Sequence, residues 1–458
     1  MIPTLAATRD RIAHSPLALR FLGGAAWSTA GTVVSSGISL VTMMFVAHLL
    51  GKETYGQFIV VQSTLGMVGV FAGFGIGAAA TCYVAELRSR DKERLARILV
   101  LTERATLAVG FIAAVFLALM SGVLATAVLN SPGLTVPLSI AGASVFFSAV
   151  AGYQASVLIG LEAMRPLAIG TAVSALAGVP VMLVSAEMYG LNGAAGAMVI
   201  NAIILAGISR FQMANQLERF SIVRKVRSCH REWRVLRDFS MPALLAGLLV
   251  TPAHWVCYAM LANTPNGYNE LAVLGVVMQW FNAILFLPAV AGRALLPIFT
   301  DHVSDKNSAN AKQLLIFAIK VNAAVTFPAA ILLAVFSAEI LQLYGADFQN
   351  GSISMAIGVM TAALLSVQMP VGNMIIAASR IWSGVLMNLC WALVYVAMTY
   401  FLKIHGSMGL MTAMGISYVI HAVWSLVIAN TLLDSSKVFL IPAPLRHETC
   451  PKAEGPQR

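Results

Sequence analysis

The sequence predicts an all-α polytopic membrane protein: about twelve transmembrane helices in two parallel six-helix lobes around a central cleft, with both termini cytoplasmic. Three observations predict it. First, 59% of the 458 residues are apolar, only 10% are charged, and the mean hydropathy is +0.83, whereas a soluble domain carries about 25% charged residues. Second, the basic residues sort to one side: once the apolar stretches are marked out, 27 of the 29 Lys and Arg fall in alternate connections, leaving only Lys52 and Lys403 opposite. Cytoplasmic loops retain positive charge during insertion, so the split places the N- and C-termini inside and requires an even number of spans. Third, the chain repeats itself at a spacing of just over 210 residues, as set out below.

A span needs about 20 apolar residues to cross a hydrocarbon core of about 30 Å. The stretches that qualify are 21–48, 58–84, 105–129, 136–160, 167–186, 193–213, 239–262, 270–296, 313–336, 352–378, 382–402 and 408–432. A polar stretch runs to Arg20, and the apolar run after it is too long for a signal-peptide core, so it is expected to stay as the first helix. The outer connections are short: Gly51 to Gln57, Asn130 to Thr135, Glu187 to Asn192, Asn263 to Asn269, Ser337 to Gly351 and Lys403 to Ser407. On the inner side, 85–98 and 210–238 are basic and amphipathic enough to lie on the membrane surface. The net charge of +10 is therefore a topology signal and an attraction to anionic lipid, and nucleic acid is not an expected partner. The five cysteines are scattered and show no metal spacing, so neither a disulfide framework nor a zinc site is expected. No cofactor is called for.

Three landmarks recur. Tyr55-Gly56-Gln57-Phe58 before the second span pairs with Tyr268-Asn269-Glu270-Leu271 before the eighth, Arg165 pairs with Arg380, and Tyr189-Gly190-Leu191-Asn192-Gly193 pairs with His405-Gly406-Ser407-Met408-Gly409; the offsets are 213, 215 and 216 residues. A six-plus-six duplication follows. Because six is even, both halves start inside and are parallel repeats about an axis along the membrane normal. The expected organisation is a cytoplasmic tail (1–20), an N-terminal lobe (21–213), a basic cytoplasmic linker (214–238), a C-terminal lobe (239–433) and a cytoplasmic tail (434–458).

The segment from Leu49 to Leu87 carries Leu50-Gly51, Tyr55-Gly56, Phe74-Gly75-Ile76-Gly77 and Ala85-Glu86 leading into basic residues; later come Tyr189-Gly190-Leu191-Asn192-Gly193-Ala194 and Leu343-Tyr344-Gly345-Ala346-Asp347-Phe348. In these pieces, and in length, charge layout and repeat, the chain resembles the polysaccharide-biosynthesis flippases, the lipid-linked oligosaccharide translocases of the multidrug/oligosaccharidyl-lipid/polysaccharide exporter superfamily. The resemblance implies two six-helix bundles forming an alternating-access cavity in the inner membrane. It implies as cargo an undecaprenyl-pyrophosphate-linked repeat unit for O-antigen, lipopolysaccharide, capsule or exopolysaccharide. A polysaccharide polymerase and a chain-length regulator are the protein partners it suggests. For the motif residues themselves, packing and turn formation is the plainer role.

Such a cargo needs cations for its phosphates and polar or aromatic groups for its sugars. Ionisable side chains inside spans cost about 2.5–3.5 kcal/mol each on insertion scales, so each one requires a reason. Arg293, between Pro288 and Pro297 in the eighth span, can grip phosphate bidentately; snorkelling to the surface is the competing role. Lys320 stands eight residues beyond Lys312, about 12 Å along a helix, which is deeper than easy snorkelling allows. Arg104 adjoins Glu103 at the start of the third span and is the third cationic candidate. Gln279 and Asn282 suit sugar hydroxyls, as do Gln62, Gln154, Asn201, Gln368, Asn373 and Asn388; interhelical hydrogen bonding suits all of them equally. Pro252 in the seventh span predicts a hinge, and His254 beside it is a proton-coupling candidate, with His421 a weaker one. Carboxylates inside the spans are nearly absent, Glu103 and Glu162 lying near the cytoplasmic boundary. A cation-coupled multidrug exporter of the same superfamily is the alternative, and it would be expected to carry such carboxylates. A membrane enzyme of polysaccharide assembly is the other alternative; it would need a larger outer loop. No catalytic constellation, metal site or nucleotide-binding motif stands out, so no enzyme is expected.

Overall fold

In the computed structural model, residues 16–73, 75–222, 232–233, 235, 249–304, 308–378 and 381–433 are described, without the side chains at 16–25, 293–294, 296–297, 301–309, 381, 429 and 431–433. Over these residues the chain is helical throughout: α1 (Pro16–Leu50), α2 (Lys52–Gly73), α3 (Ile76–Leu87), α4 (Lys92–Val123), α5 (Thr135–Gly160), α6 (Met164–Arg219), α7 (Val250–Ala262), α8 (Gly267–Ser304), α9 (Ser308–Val335), the short α10 (Ser337–Gln342), α11 (Ser352–Ala377), α12 (Ile381–Leu402) and α13 (Gly406–Leu433). Nine stretches among the described residues are long and apolar enough to cross a membrane.

The burial pattern is that of a membrane helix. On α4, Phe111, Ile112, Phe116 and Leu119 are exposed, whereas Thr102, Thr106, Gly110, Ala113 and Ser121 are buried. Lipid is as apolar as leucine, so large apolar side chains gain nothing by burial; small and polar residues turn inward, where they allow close packing and hydrogen bonds.

Two of the nine stretches are too long for one crossing. Met164–Arg219 has 56 residues and Trp382–Ile428 has 47, against the roughly 20 that a crossing needs. Each contains a glycine elbow at matching positions of the sequence repeat: Gly190 has φ 56, ψ −134, and Gly406 has φ 64, ψ −142. This backbone region is closed to most L side chains. Close packing repeats too. A Cβ on Gly193 would lie 1.7 Å from the Ser185 carbonyl oxygen, and one on Gly409 would lie 1.9 Å from that of Leu402. The duplication read from weak sequence landmarks thus has a conformational counterpart.

Four local expectations change. The connection expected over Gly51 to Gln57 is a single residue, Gly51 at φ 75, after which Lys52 opens α2. The second span is divided: α2 ends at Gly73 and α3 begins at Ile76, with Gly75 left-handed at φ 62 between them. The surface helix expected over 85–98 is instead the end of α3 and the first turns of the 32-residue α4, because Lys92–Leu99 continues the buried face of that helix. Among the cysteines, Cys257 and Cys390 are free, but Cys82 is disulfide-bonded, contrary to expectation.

The described chain forms two compact units. One comprises Met1–Val46, Val68–Ser121 and Thr135–Leu245; the other comprises Ala47–Met67, Gly122–Leu134 and Ala246–Arg458. Two short pieces of the N-terminal half therefore belong with the C-terminal half, and a close approach explains one of them: a Cβ on Gly56 would lie 1.7 Å from the Tyr268 carbonyl oxygen, so only glycine admits α2 against α8.

Candidate functional site

In the second unit, α2, α8 and the α10–α11 connection meet in a hydrogen-bonded cluster. Tyr344 Oη donates to Gln279 Oε1 (3.1 Å), and Gln279 Nε2 donates to Tyr55 Oη (2.8 Å). Both tyrosines are fully buried. Burial pushes the Tyr344 hydroxyl above its ordinary range, so it remains a donor. Phe348 packs on both rings, and Lys52 caps the group, its Nζ 2.7 Å from the Asp347 carbonyl oxygen and 5.6 Å from the Phe348 ring centre. At the other repeat position Tyr268 Oη donates to the Leu129 carbonyl (2.6 Å). Gln279 thus ties three elements together; Asn282, one turn further, is exposed and bonds back to Met278 of its own helix.

Further along α8, Arg293 lies on a helix that continues to Ser304, beyond the expected span end, and its side chain lies outside the described residues. Lys320 is exposed on α9. Asn322, two residues on, faces the opposite way: it is buried, and its Nδ2 donates to the Ser366 carbonyl (2.8 Å), while Thr326 meets the Ser366 hydroxyl at 2.7 Å. Arg104 is exposed on α4, and Glu103 accepts from Arg210 at 3.4 Å. Among the cationic candidates, then, the structure shows no shared grip: one lies outside the described side chains, and the other two are exposed on separate elements.

A second cluster lies where α7, α12, α13 and α11 pack in the same unit. Pro252 is in the first turn of described α7, where a missing N–H forfeits no intrahelical bond. His254 follows. Its ring is 5.2 Å from that of Tyr395, 5.4 Å from Trp391 and 6.4 Å from Tyr258; Trp391 in turn stacks at 5.3 Å on Tyr395 and at 5.2 Å on Tyr418. Beyond Tyr418, Gln368 donates to the Tyr418 carbonyl (3.1 Å) and meets His421 Nδ1 at 2.8 Å, and Ser425 completes that group. His421 is therefore satisfied. His254 is not: His254 Nδ1, Trp391 Nε1, Tyr395 Oη and Thr399 Oγ1 are all buried without a hydrogen-bond partner. Reading the sequence residue by residue missed the α12 side of this cluster, although its signal was present: Trp391, Tyr395 and Thr399 recur every four residues, one stripe of a helix, and His254, Cys257 and Tyr258 make the matching stripe on α7.

In the first unit the expected polar residues knit helices. Ser174 donates to Asn201 (3.2 Å) within α6, and Asn201 fills the space beside Gly178. Glu86, which the sequence singled out only as part of the family motif, has a buried Oε2 without a partner, as does Gln154 at its Oε1. Glu232 accepts from Arg94 (3.3 Å) and Arg97 (3.4 Å), pinning a described piece of the basic linker to the start of α4. Among the described residues no group of three or more His, Cys, Asp or Glu could hold a metal.

Comparison with known proteins places these features in a family. The sequence model of a family described as polysaccharide biosynthesis protein matches residues 21–303. Two relatives are named EPS I polysaccharide export inner membrane protein EpsE: one from Ralstonia solanacearum, 25% identical over 405 residues covering 84% of this chain and 87% of that one, and one from Ralstonia nicotianae, 24% identical over 390 residues covering 83% and 87%. Among solved structures, an inward-facing multidrug-resistance MATE-family transporter of the MOP superfamily is similar with a TM-score of 0.72 at 14% identity, over 88% of this chain and 96% of that one. A MOP-superfamily transporter from Pyrococcus furiosus reaches 0.66 at 14% identity, over 90% and 96%. At this identity the structures speak to fold alone, which is that of a MOP-superfamily transporter. The family match covers more than half of the sequence, and the chain belongs to the polysaccharide biosynthesis protein family of multi-span membrane proteins.

Proposed function

We propose that the protein is a flippase that moves undecaprenyl-pyrophosphate-linked oligosaccharide repeat units across the bacterial inner membrane by alternating access, for cell-surface polysaccharide biosynthesis. The family match over residues 21–303 carries this reading; the relatives' names as polysaccharide export inner membrane proteins and the transporter fold support it. In this reading twelve spans form an N-terminal lobe (21–213) and a C-terminal lobe (239–433) with both termini cytoplasmic, in keeping with the charge split and the matched elbows at Gly190 and Gly406. Arg293 and Lys320 hold the pyrophosphate, Arg104 assists at the cytoplasmic entrance, and Asn282 with its neighbours meets the sugars. Pro252 and His254 are the hinge and coupling residues. A polymerase and a chain-length regulator act on the delivered unit. The protein is a carrier and not an enzyme.

Deleting the gene and measuring undecaprenyl-linked oligosaccharide on the inner leaflet tests the reading. Accumulation that wild type relieves, and that Arg293→Ala and Lys320→Ala do not, is the expected result. Without accumulation the glycan is not the cargo, and a cation-coupled multidrug exporter of the same fold takes its place. Full rescue by both variants would keep the cargo and discard the cationic grip.

A further inference from the structure

The cluster around His254 is unusual in what it lacks. Tyr395 and Thr399 are 0% exposed and Trp391 is 4% exposed, yet His254 and Trp391 each bury a nitrogen without a partner, and the two hydroxyls make no aligned bond and have only the Cys257 thiol beside them. A buried polar group without a partner costs about 1–3 kcal/mol, and His254 and Trp391, whose rings are 5.4 Å apart, bear that cost together. The Cys257 thiol lies beside the Tyr395 and Thr399 hydroxyls, but sulfur is a weak donor and a weak acceptor and does not replace a full hydrogen bond.

The atom types say what fits. Trp391 Nε1 only donates; the two hydroxyls donate or accept; His254 Nδ1 does either, according to tautomer. The atom types do not suit a metal cation: the indole offers only a donor, and no group of three or more His, Cys, Asp or Glu among the described residues could hold one. Water suits all four atoms: it accepts from the indole and one hydroxyl while donating to the imidazole, and buried waters typically make about three such bonds.

We infer that the His254–Trp391–Tyr395–Thr399 cluster is a hydrated proton-accepting site, in which internal water bridges the indole and the hydroxyls to the His254 imidazole. The inference rests on the carrier reading only for its use, which is to supply a coupling proton where the spans hold almost no carboxylate. Among the titratable groups around the cluster, His254 is the imidazole without a protein partner. From α7 itself stand Cys257 and Tyr258, from α12 Tyr395, and from α13 Tyr418 and His421, the last already held by Gln368 of α11. On α8 the titratable described side chains are Tyr268 and Glu270, held by the Leu129 carbonyl and by Ser407. On α2, Thr64 takes the Trp255 N–H (2.9 Å), and Lys52, Glu53 and Tyr55 lie at the opposite end of the helix from it. Adding a proton to the imidazole turns Nδ1 from acceptor to donor, so the water must reverse; the site has two hydrogen-bond arrangements.

Two measurements on the purified full chain test this, and neither needs glycan. Thermal unfolding of Tyr395→Phe and Thr399→Val separates wet from dry. With water bound, each variant loses a hydrogen bond and Tm falls by about 1–3 °C. In a dry cluster each variant gives up no more than the weak contact with the Cys257 sulfur and removes a poorly satisfied group, so Tm holds or rises, and that result overturns the site. The emission of Trp391, taken as wild type minus Trp391→Phe, then reports on His254: it is expected to be quenched as pH falls and to lose its response in His254→Gln. A pH response that is absent, or that survives in His254→Gln, overturns the proton-accepting role. Failure here leaves the lipid-linked cargo standing, and failure to find accumulated lipid-linked glycan leaves this site standing, so the two readings fail separately.

Discussion

Two buried polar clusters in the same unit differ in one respect. Around Gln279, every oxygen that Tyr55 and Tyr344 bury has a partner, and only the Trp280 indole, beside Tyr344, lacks an aligned bond. Around His254, the imidazole and the Trp391 indole are left without a partner, and the Tyr395 and Thr399 hydroxyls have only the Cys257 thiol beside them. Both clusters are aromatic, and both join helices distant in sequence. A satisfied network rigidifies a fold, whereas an unsatisfied one marks either a defect or a ligand. The Gln279 cluster, with Gly56 pressed on Tyr268 beside it, has the character of a rivet; the His254 cluster has that of a site.

The comparison can be broken in order of expected effect. Gly56→Leu should be the most damaging change. Its Cβ would overlap the Tyr268 carbonyl, which is backbone and cannot turn aside, so a loss above about 4 kcal/mol is expected, seen as lost folded protein on detergent size exclusion. A well-folded Gly56→Leu would deny that this contact holds the unit together. Gln279→Leu comes next: it strands the hydroxyls of Tyr55 and Tyr344, at about 1–3 kcal/mol for each. Denaturant or thermal unfolding should therefore show it more harmful than Tyr395→Phe by a wide margin. Equal effects from the two would erase the distinction between rivet and site.

The glycine elbows sharpen the picture of the repeat. Alanine at Gly406 or Gly190 forces a left-handed backbone at about 1–3 kcal/mol. Gly406 should be the costlier position, because its Cβ would also meet Glu270 at 2.4 Å while the space beside Gly190 is open. A Gly190→Ala variant less stable than Gly406→Ala would contradict this. The smallest effect belongs to Glu162→Gln. Its pair with Arg88 is largely solvated, with the Glu162 side chain 64% exposed, so a change within about 0.5 kcal/mol is expected. Glu232→Gln should cost more, since that carboxylate is 12% exposed and serves both Arg94 and Arg97.

The His254 site was half legible in the sequence. Histidine beside proline in an apolar stretch drew attention because a titratable group inside a membrane span needs a reason. Trp391, Tyr395 and Thr399 did not, since aromatic and hydroxyl residues are ordinary in such helices, and their fourfold spacing says only that they share a face. Gln279 was read as a sugar contact or an interhelical bond on equal terms; the positions of Tyr55, 224 residues away, and of Tyr344 give it the second role.

Composition and charge alone determined that this is a multi-span membrane protein, and weak landmarks gave the expectation that it is doubled. Those properties are sums over many residues, or local demands of single glycines, and they survive uncertainty at any one position. Motifs spread along the chain were enough to suggest the family. Only the tertiary structure decided which polar residues are paired and which are left over, that Ala47–Met67 and Gly122–Leu134 pack with the C-terminal half, and that α12 completes the site begun by α7. Hydrogen bonds between helices depend on which faces meet, and a sequence whose helices are apolar nearly all round carries too faint a stripe to say which.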